Sequence, residues 1–456
     1  MTDSESLWAA EVFGHARLGD LRRTDRLVQV AAAAARTPGG LVTEVMRTSA
    51  TKEGAFRLLE NANVEPADIT EAMAISTARA CRKLARVYVA LDQSAINFPD
   101  RDNLRGLGKV GDSRRTRGLQ AMTGLVLAPD GMPIGIGAMR WFSRPDAPSG
   151  WGENDTRPVE DRESALWLDA IDDVARVFAE HAPHTTPCFL LDRGGDFWRV
   201  FDVVREHGFD VIVRASHDRV VAGKTHRIRL SKALPRSSVL GRTVLSRPKL
   251  GRVRLEVRAR HVTMLMGDEG RPRRPFDLWV VQVREVGTPK DRERITWKLL
   301  TTRPMTTLAD AIEVVRGYAM RWRVEEFHRT WKGGHCQLER SQLRSPGALM
   351  RWATILAAVA TRIERLKQLS RTQGELSALH EFSQAEIDAA IFLSETKKWK
   401  FGDVPTLVQV VHLVAQVGGY TGKSSGGPPG SKTIGRGMER IAPAAAMAAH
   451  LRWTSG

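Results

Sequence analysis

Two hydrophobic periods alternate along this chain, and the places where one gives way to the other mark its organisation. Residues 1 to about 75 carry the helical period: DRLVQVAAAAA follows Thr24, a plausible cap, and the PGG at 38–40 stops it. Short β-like runs follow. VYVAL leads into Asp92 and CFLL into Asp192, with the pair MTGLVLAPDGMPIGIGAMRW between them, split by a PDG turn. Residues 162–181, RESALWLDAIDDVARVFAEH, return to the helical period before the second aspartate. Strands alternating with helices predict an α/β sheet, which places chemistry at the carboxyl ends of its strands. Taken singly, an aspartate after a strand is more often a turn or cap residue. Later, RVRLEVRAR alternates Val253, Leu255, Val257 and Ala259 with Arg252, Arg254, Arg258 and Arg260, a half-buried strand with a basic outer face. DLWVVQVREV and ITWKLLTTRP are further strand-like runs. Beyond residue 345 the pattern is helical again, broken by the Gly-, Pro- and Ser-rich GGYTGKSSGGPPGSK.

Composition changes the picture in one respect. The chain has 456 residues and 42% apolar content, enough for two or three packed domains, but its formal charge is +17 and its pI about 10.3. A polyanionic partner is the simplest cause, with nucleic acid ahead of an acidic membrane surface. From Arg214 to Arg260 there are fourteen Lys or Arg against Asp218 and Glu256. Arg17, Arg22, Arg23 and Arg26 sit at a helix start, where cations oppose the helix dipole, so phosphate contact competes there with simple solvation. No apolar run is long enough to span a bilayer, the acidic start lacks the pattern of a secretory signal, and three scattered cysteines give no disulfide framework.

Several motifs fail on inspection. GKS at 422–424 lacks the earlier glycine of a phosphate loop, because Val417 stands there. His328, His335 and Cys336 have no zinc-type spacing. What remains is YAMRWRVEEFHRTWK, residues 318–332. On one helix, Tyr318, Arg321, Glu325 and Lys332 would project within about 60°, with Glu326 swung roughly 100° away. A surface ion pair between Arg321 and Glu325 explains two of them and leaves the others unexplained. Three carboxylates brought together, Asp92, Asp192 and Glu325, would repel one another unless divalent cations lay between them. Mg²⁺ prefers such oxygen ligands, and two ions about 4 Å apart serve phosphodiester chemistry.

The spacing Y-x2-R-x3-E-x6-K, filled by Tyr318, Arg321, Glu325 and Lys332, resembles that of the DDE transposases of the insertion-sequence-four group, most closely those of the Tn-five type. LGDLRRTDRLV, KEGAFRLLENANV, RWFSRPDAP and LDRGGDFW extend the likeness in the family's order. The resemblance implies an α/β, ribonuclease-H-like catalytic core (76–342) with a β insertion at about 220–303. It implies an N-terminal helical DNA-binding domain (1–75) and a C-terminal helical dimerisation domain (343–456). It implies a cut-and-paste transposase of the bacterial cytoplasm, associated with the nucleoid, that binds double-stranded DNA at transposon ends and target as a homodimer and cleaves through a hairpin. By position, Asp92, Asp192 and Glu325 become catalytic ligands of two Mg²⁺ ions, with Mn²⁺ able to substitute. Tyr318, Arg321 and Lys332 become DNA-binding residues, Trp297 the aromatic that stacks on a flipped base, and Arg214, Arg22, Arg23 and Arg26 further DNA contacts. Without the family, Trp297 reads as a core aromatic. Gln93 departs from the family's usual Thr after the first aspartate, Gly194 and Gly195 replace bulkier residues, and the last hundred residues match weakly. A catalytically silent regulator that binds the same ends, and a metal-dependent nuclease of the same fold, are the competing readings.

Overall fold

The structure, a computed structural model, describes residues 4–454 except 39–40, 99, 101–104, 111–115, 144–162, 223–226, 235–236, 248–250, 268–272, 288, 290–291 and 424–426. The RWFSRPDAP stretch therefore lies outside the described residues from Arg144 onward, as does Ser424 of the rejected GKS motif.

Five helices come first: α1 (Ser4–Phe13), α2 (Leu21–Arg36), α3 (Val42–Val45), α4 (Ser49–Leu59) and α5 (Pro66–Cys81). Helix α2 begins earlier than expected. Asp20 is its cap, accepting from the Arg22 N–H at 2.9 Å, whereas the Thr24 hydroxyl is buried and donates to the Ala16 carbonyl. The expected domain limit at residue 75 falls inside α5, which packs on the sheet.

The sheet begins with β1 (Arg86–Phe98), β2 (Gly108–Lys109), β3 (Arg117–Leu127) and β4 (Pro133–Phe142). The predicted PDG turn joins β3 to β4, with Gly131 at φ +84° and the Asp130 carboxylate accepting from the Met132 N–H. Then come α6 (Ala165–His181), β5 (Thr186–Leu191), α7 (Trp198–Glu206) and β6 (Asp210–Arg214). Residues 220–301 supply β7 (Val220–Ala222), β8 (Ile228–Arg229), α8 (Leu230–Ala233), β9 (Gly241–Arg247), β10 (Gly251–Met266), β11 (Arg274–Glu285) and β12 (Thr296–Thr301). Helices α9 (Leu308–Met320), α10 (Trp322–Trp331), α11 (Pro346–Thr372), α12 (Gln384–Leu393), α13 (Leu407–Val417) and α14 (Ser431–Thr454) complete the chain. No described helix is long and apolar enough to cross a membrane.

All twelve strands join one sheet, ordered β2-β3-β1-β5-β6-β12-β11-β10-β7-β8, with β4 on β3 and β9 on β10. β1 is antiparallel to β3 and parallel to β5, and β5 is parallel to β6. Residues 220–301 continue the sheet from the free edge of β6 through the antiparallel partner β12. Strand alternation sorts the core. Tyr88, Ala90, Cys188 and Leu190 face the layer built by the N-terminal helices, α9, α10 and α11; Val87, Val89, Leu91, Phe189 and Leu191 face the layer of α6 and α7. The basic strand behaves as its alternation requires. Val253, Leu255 and Val257 are buried, Arg252 and Arg254 are exposed, and Arg258 and Arg260 donate to the Ser237 and Ala233 carbonyls.

Helix α11 runs through the first layer and into the C-terminal helices, so no apolar boundary separates them. Polar contacts cross there as well. Buried Glu364 accepts from the hydroxyls of Thr330 on α10 and Ser431 at the start of α14, each at 2.5 Å, and pairs with Lys367, which lies 3.5 Å from Glu326. Trp331 anchors α10 beneath this network. It is fully buried, stacks on Phe327 at 5.6 Å, meets Trp141 at 5.8 Å and donates its indole N–H to the Ala353 carbonyl at 2.9 Å. Replacing Trp331 by Ala is expected to lower stability by about 3–5 kcal/mol, chiefly through the cavity left in the core, as read from the midpoint of urea unfolding.

Candidate active site

Parallel pairing of β1 with β5 matches Ala90 to Leu190 and ends there. Two residues beyond that pair stand Asp92, within β1 and on the face of Tyr88 and Ala90, and Asp192, just past the end of β5. The expectation that Asp92 ends its strand is corrected by the structure. β1 continues to Phe98, paired beyond this point with β3 alone. Asp192 does follow the end of β5, where its carboxylate caps a short 3₁₀ turn by accepting from the Gly194 N–H at 2.7 Å.

Over this face lie α9 and α10. The segment 318–332 is not one regular helix: α9 ends at Met320, α10 starts at Trp322, and Arg321 is the junction. The Arg321 N–H bonds to the Tyr318 carbonyl and the Val324 N–H to the Arg321 carbonyl, so one turn is tightened to i→i+3 bonding. Such a turn eclipses residues three apart, which keeps Tyr318 and Arg321 in line. Gly317 lets α9 approach the sheet closely, since a Cβ there would stand 2.9 Å from the Tyr88 ring.

The consequence is a charged junction. The Arg321 guanidinium bridges the first and third carboxylates, with Nη1 3.7 Å from Asp92 Oδ1 and Nη2 hydrogen-bonded to Glu325 Oε1. Its side chain is only 14% exposed. Burial pushes Asp92 up to about 7; Arg321 works against that rise, and Asp192 and Glu325 add to it. Asp192 and Glu325 therefore both act electrostatically on Asp92. Among the described residues, no three of His, Cys, Asp or Glu are drawn tight enough to hold a metal ion as they stand. With Arg321 between them, Asp92 and Glu325 already have a cation, and the all-oxygen donor set is the kind that suits Mg²⁺ or Mn²⁺.

The other expected residues fall in three places. Tyr318 is buried beside Arg321, and burial raises its phenol pKa. Arg214 pairs with Leu299 on β12 and acts electrostatically on Tyr318, so it borders the site. Lys332 caps α10 and donates from Nζ to the Ala95 carbonyl at 3.0 Å, which ties α10 to the extension of β1. Glu326 points away, pairing with Arg323 at 2.8 Å. Trp297 is 6% exposed and meets Tyr318 edge-on with centroids 5.2 Å apart. Its burial and ring contact make it a core aromatic of β12. Arg22, Arg23 and Arg26 lie far off in the N-terminal helices. Arg22 is exposed and pairs with Asp20 at 2.8 Å, Arg23 donates to the Leu18 carbonyl, and the Arg26 guanidinium lies against Gly54 of α4.

Sequence reading missed two residue groups. Asp196 is buried and accepts from Ser216 N–H at 2.6 Å, Ser216 Oγ at 2.9 Å and Arg219 Nη1 at 2.5 Å, clamping the turn after Asp192 to the chain beyond β6. The kept aspartate in LDRGGDFW was its signal. His328 is buried with Nδ1 3.7 Å from Asp92 Oδ2, and burial, with Lys332 and Arg321, pushes its pKa down to about 3, leaving the imidazole neutral. Its place one turn after Glu325 was the available signal.

Three families match the chain by sequence. Transposase DNA-binding covers residues 5–64, Transposase DDE domain covers 164–362, and Transposase Tn5 dimerisation domain covers 358–455. The DDE match holds Asp192 and Glu325, while Asp92 precedes it. A DNA-binding module, a DNA-cleaving and DNA-joining domain that depends on divalent metal, and a dimerisation module thus succeed one another, with DNA and a second copy of the chain as their partners. With a charged junction in the DDE region and the three modules in this order, the chain belongs to the Tn5-like DDE transposases.

Proposed function

We propose that the protein is a cut-and-paste transposase that cleaves transposon ends through a hairpin and joins them to target DNA. What supports this reading is the Arg321 bridge between Asp92 and Glu325, together with the electrostatic effect of Asp192 and Glu325 on Asp92. The order β4-β3-β1-β5-β6, antiparallel at first and then parallel, supports a ribonuclease-H-like core, with 220–301 as its insertion. Held by the carboxylates, a pair of divalent cations, Mg²⁺ or Mn²⁺, supplies activation of an attacking oxygen and stabilisation of the leaving one. Asp92, Asp192 and Glu325 hold these ions. Arg321, Lys332 and Arg214 then serve the scissile strand's phosphates, with the Tyr318 hydroxyl beside them. Water attacks first; the freed 3′-hydroxyl attacks the opposite strand to close the hairpin, where Trp297 receives the displaced base, and a second water then hydrolyses the hairpin, restoring the 3′-hydroxyl that joins target DNA. Arg22, Arg23 and Arg26 hold end DNA through its phosphates.

Glu325→Gln is expected to reduce cleavage of a duplex carrying the transposon end by roughly 10³-fold or more, several kcal/mol of lost transition-state stabilisation. Gel-shift binding of the same duplex stays at the wild-type level. Unchanged cleavage sinks the mechanism, and cleavage by the wild type without joining of pre-cut ends makes the protein a nuclease.

The raised pKa of Asp92 gives a second prediction. The unfolded chain releases this proton near pH 4 and the folded, metal-free chain near 7, so the folded state binds more protons between these values. The group's contribution to stability is full below about pH 4 and is lost as pH rises through about 7. In chelator, Asp92→Asn is therefore expected to be more stable than wild type at pH 8 by up to a few kcal/mol, with the gap closing toward pH 5. Thermal unfolding across that range measures it; parallel curves for the two proteins contradict the charge arrangement.

A further inference from the structure

Among the described residues, two buried polar atoms of side chains beside Asp92 have no hydrogen-bond partner: the Thr123 hydroxyl and His328 Nε2. Such orphans are uncommon in folded interiors, and each calls for an explanation. Thr123 is wholly buried and stands directly opposite Asp92 in the β1–β3 ladder. Opposed residues of an antiparallel pair share a face, with Cβ atoms about 4.5–5.5 Å apart, so hydroxyl and carboxylate are neighbours. His328 reaches the same carboxylate from α10. Its Nδ1 is 3.7 Å from Oδ2, too long for a hydrogen bond and within one small shift of becoming one. The shift is resisted on the other side, where Oδ1 faces Arg321.

We propose that Thr123 and His328 are positioning residues for Asp92, donating from Oγ1 and Nδ1 to its carboxylate once a divalent cation takes the place of Arg321. This rests on the reading of Asp92 as a cation ligand. An imidazole that gives its Nδ1–H to Asp92 leaves Nε2 as a bare acceptor, which matches the orphaned atom. A carboxylate oxygen bound to a cation leaves its partner oxygen to be fixed from behind, and loss of such outer partners weakens metal binding by about 10–100-fold. The ring contacts of His328 with Phe327 at 5.4 Å and Trp331 at 6.2 Å hold the imidazole in place for this.

The test is calorimetric titration of the full chain with Mn²⁺, together with the Mg²⁺ concentration that half-saturates end cleavage. Thr123→Val and His328→Phe each weaken Mn²⁺ binding and raise the Mg²⁺ requirement by about 10-fold, with the rate at saturating Mg²⁺ changing much less. Thr123→Ser stays near wild type. If His328→Phe does not fold, His328→Asn, whose amide nitrogen sits near Nδ1, retains binding, and His328→Gln, which reaches toward Nε2, loses it. Wild-type affinity in Thr123→Val, or equal behaviour of the Asn and Gln variants, overturns the assignment, provided Asp92→Asn abolishes Mn²⁺ binding. If Asp92→Asn binds Mn²⁺ as wild type does, the reading of Asp92 itself fails instead.

Discussion

Negative charge concentrated in a half-buried place, and the single guanidinium that balances it, set the terms for the rest of this molecule. Like charges a few ångströms apart interact far more strongly where water is excluded than on a surface. The fold meets that demand in layers. Neighbouring parallel strands, in register up to Ala90 and Leu190, lead into Asp92 and Asp192, α10 carries Glu325, and the tightened turn at Arg321 delivers the counter-charge. Asp196, with Ser216 and Arg219, holds the second strand's exit, and Lys332 holds the extension of the first.

Much of this was legible because the residues that carry it have chemistry that ordinary helices and strands do not need. A tyrosine, an arginine, a glutamate and a lysine at helical offsets stand out against polar scatter, and strand-end aspartates stand out against apolar runs. Less visible were features set by pairing rather than by pattern. The mixed string QSAINF has no strand signature of its own, yet β3 draws it into β1, so Asp92 lies inside a strand. Arg321 breaks the helix because its neighbours bond i→i+3, which side-chain periodicity does not register. Thr24 looked like a cap until burial claimed its hydroxyl for Ala16, leaving Asp20 to cap. Thr123, inside an apolar run, acquires meaning only from what lies opposite.

The modules named by sequence are not separate bodies in the folded chain. The N-terminal helices share a core with β1 and α11, and α11 passes from that core into the C-terminal helices. Glu364 joins α10 to the first residue of α14 through two hydroxyls. Packing of the carboxy-terminal helices and the placement of α10 are therefore parts of one mechanical unit, and the dimerisation segment bears directly on the element that carries Glu325.

One guanidinium cannot serve two anions fully. Arg321 rests between Asp92 and Glu325, and in the proposed reading the same group also serves the phosphodiester. An anion that draws it outward leaves the carboxylates uncompensated and strengthens their hold on any cation; a cation seated there frees the guanidinium in turn. By thermodynamic reciprocity the two affinities rise by the same factor. On the proposed two-ion reading, the side chain that compensates the carboxylates makes substrate and metal each other's cooperative effectors.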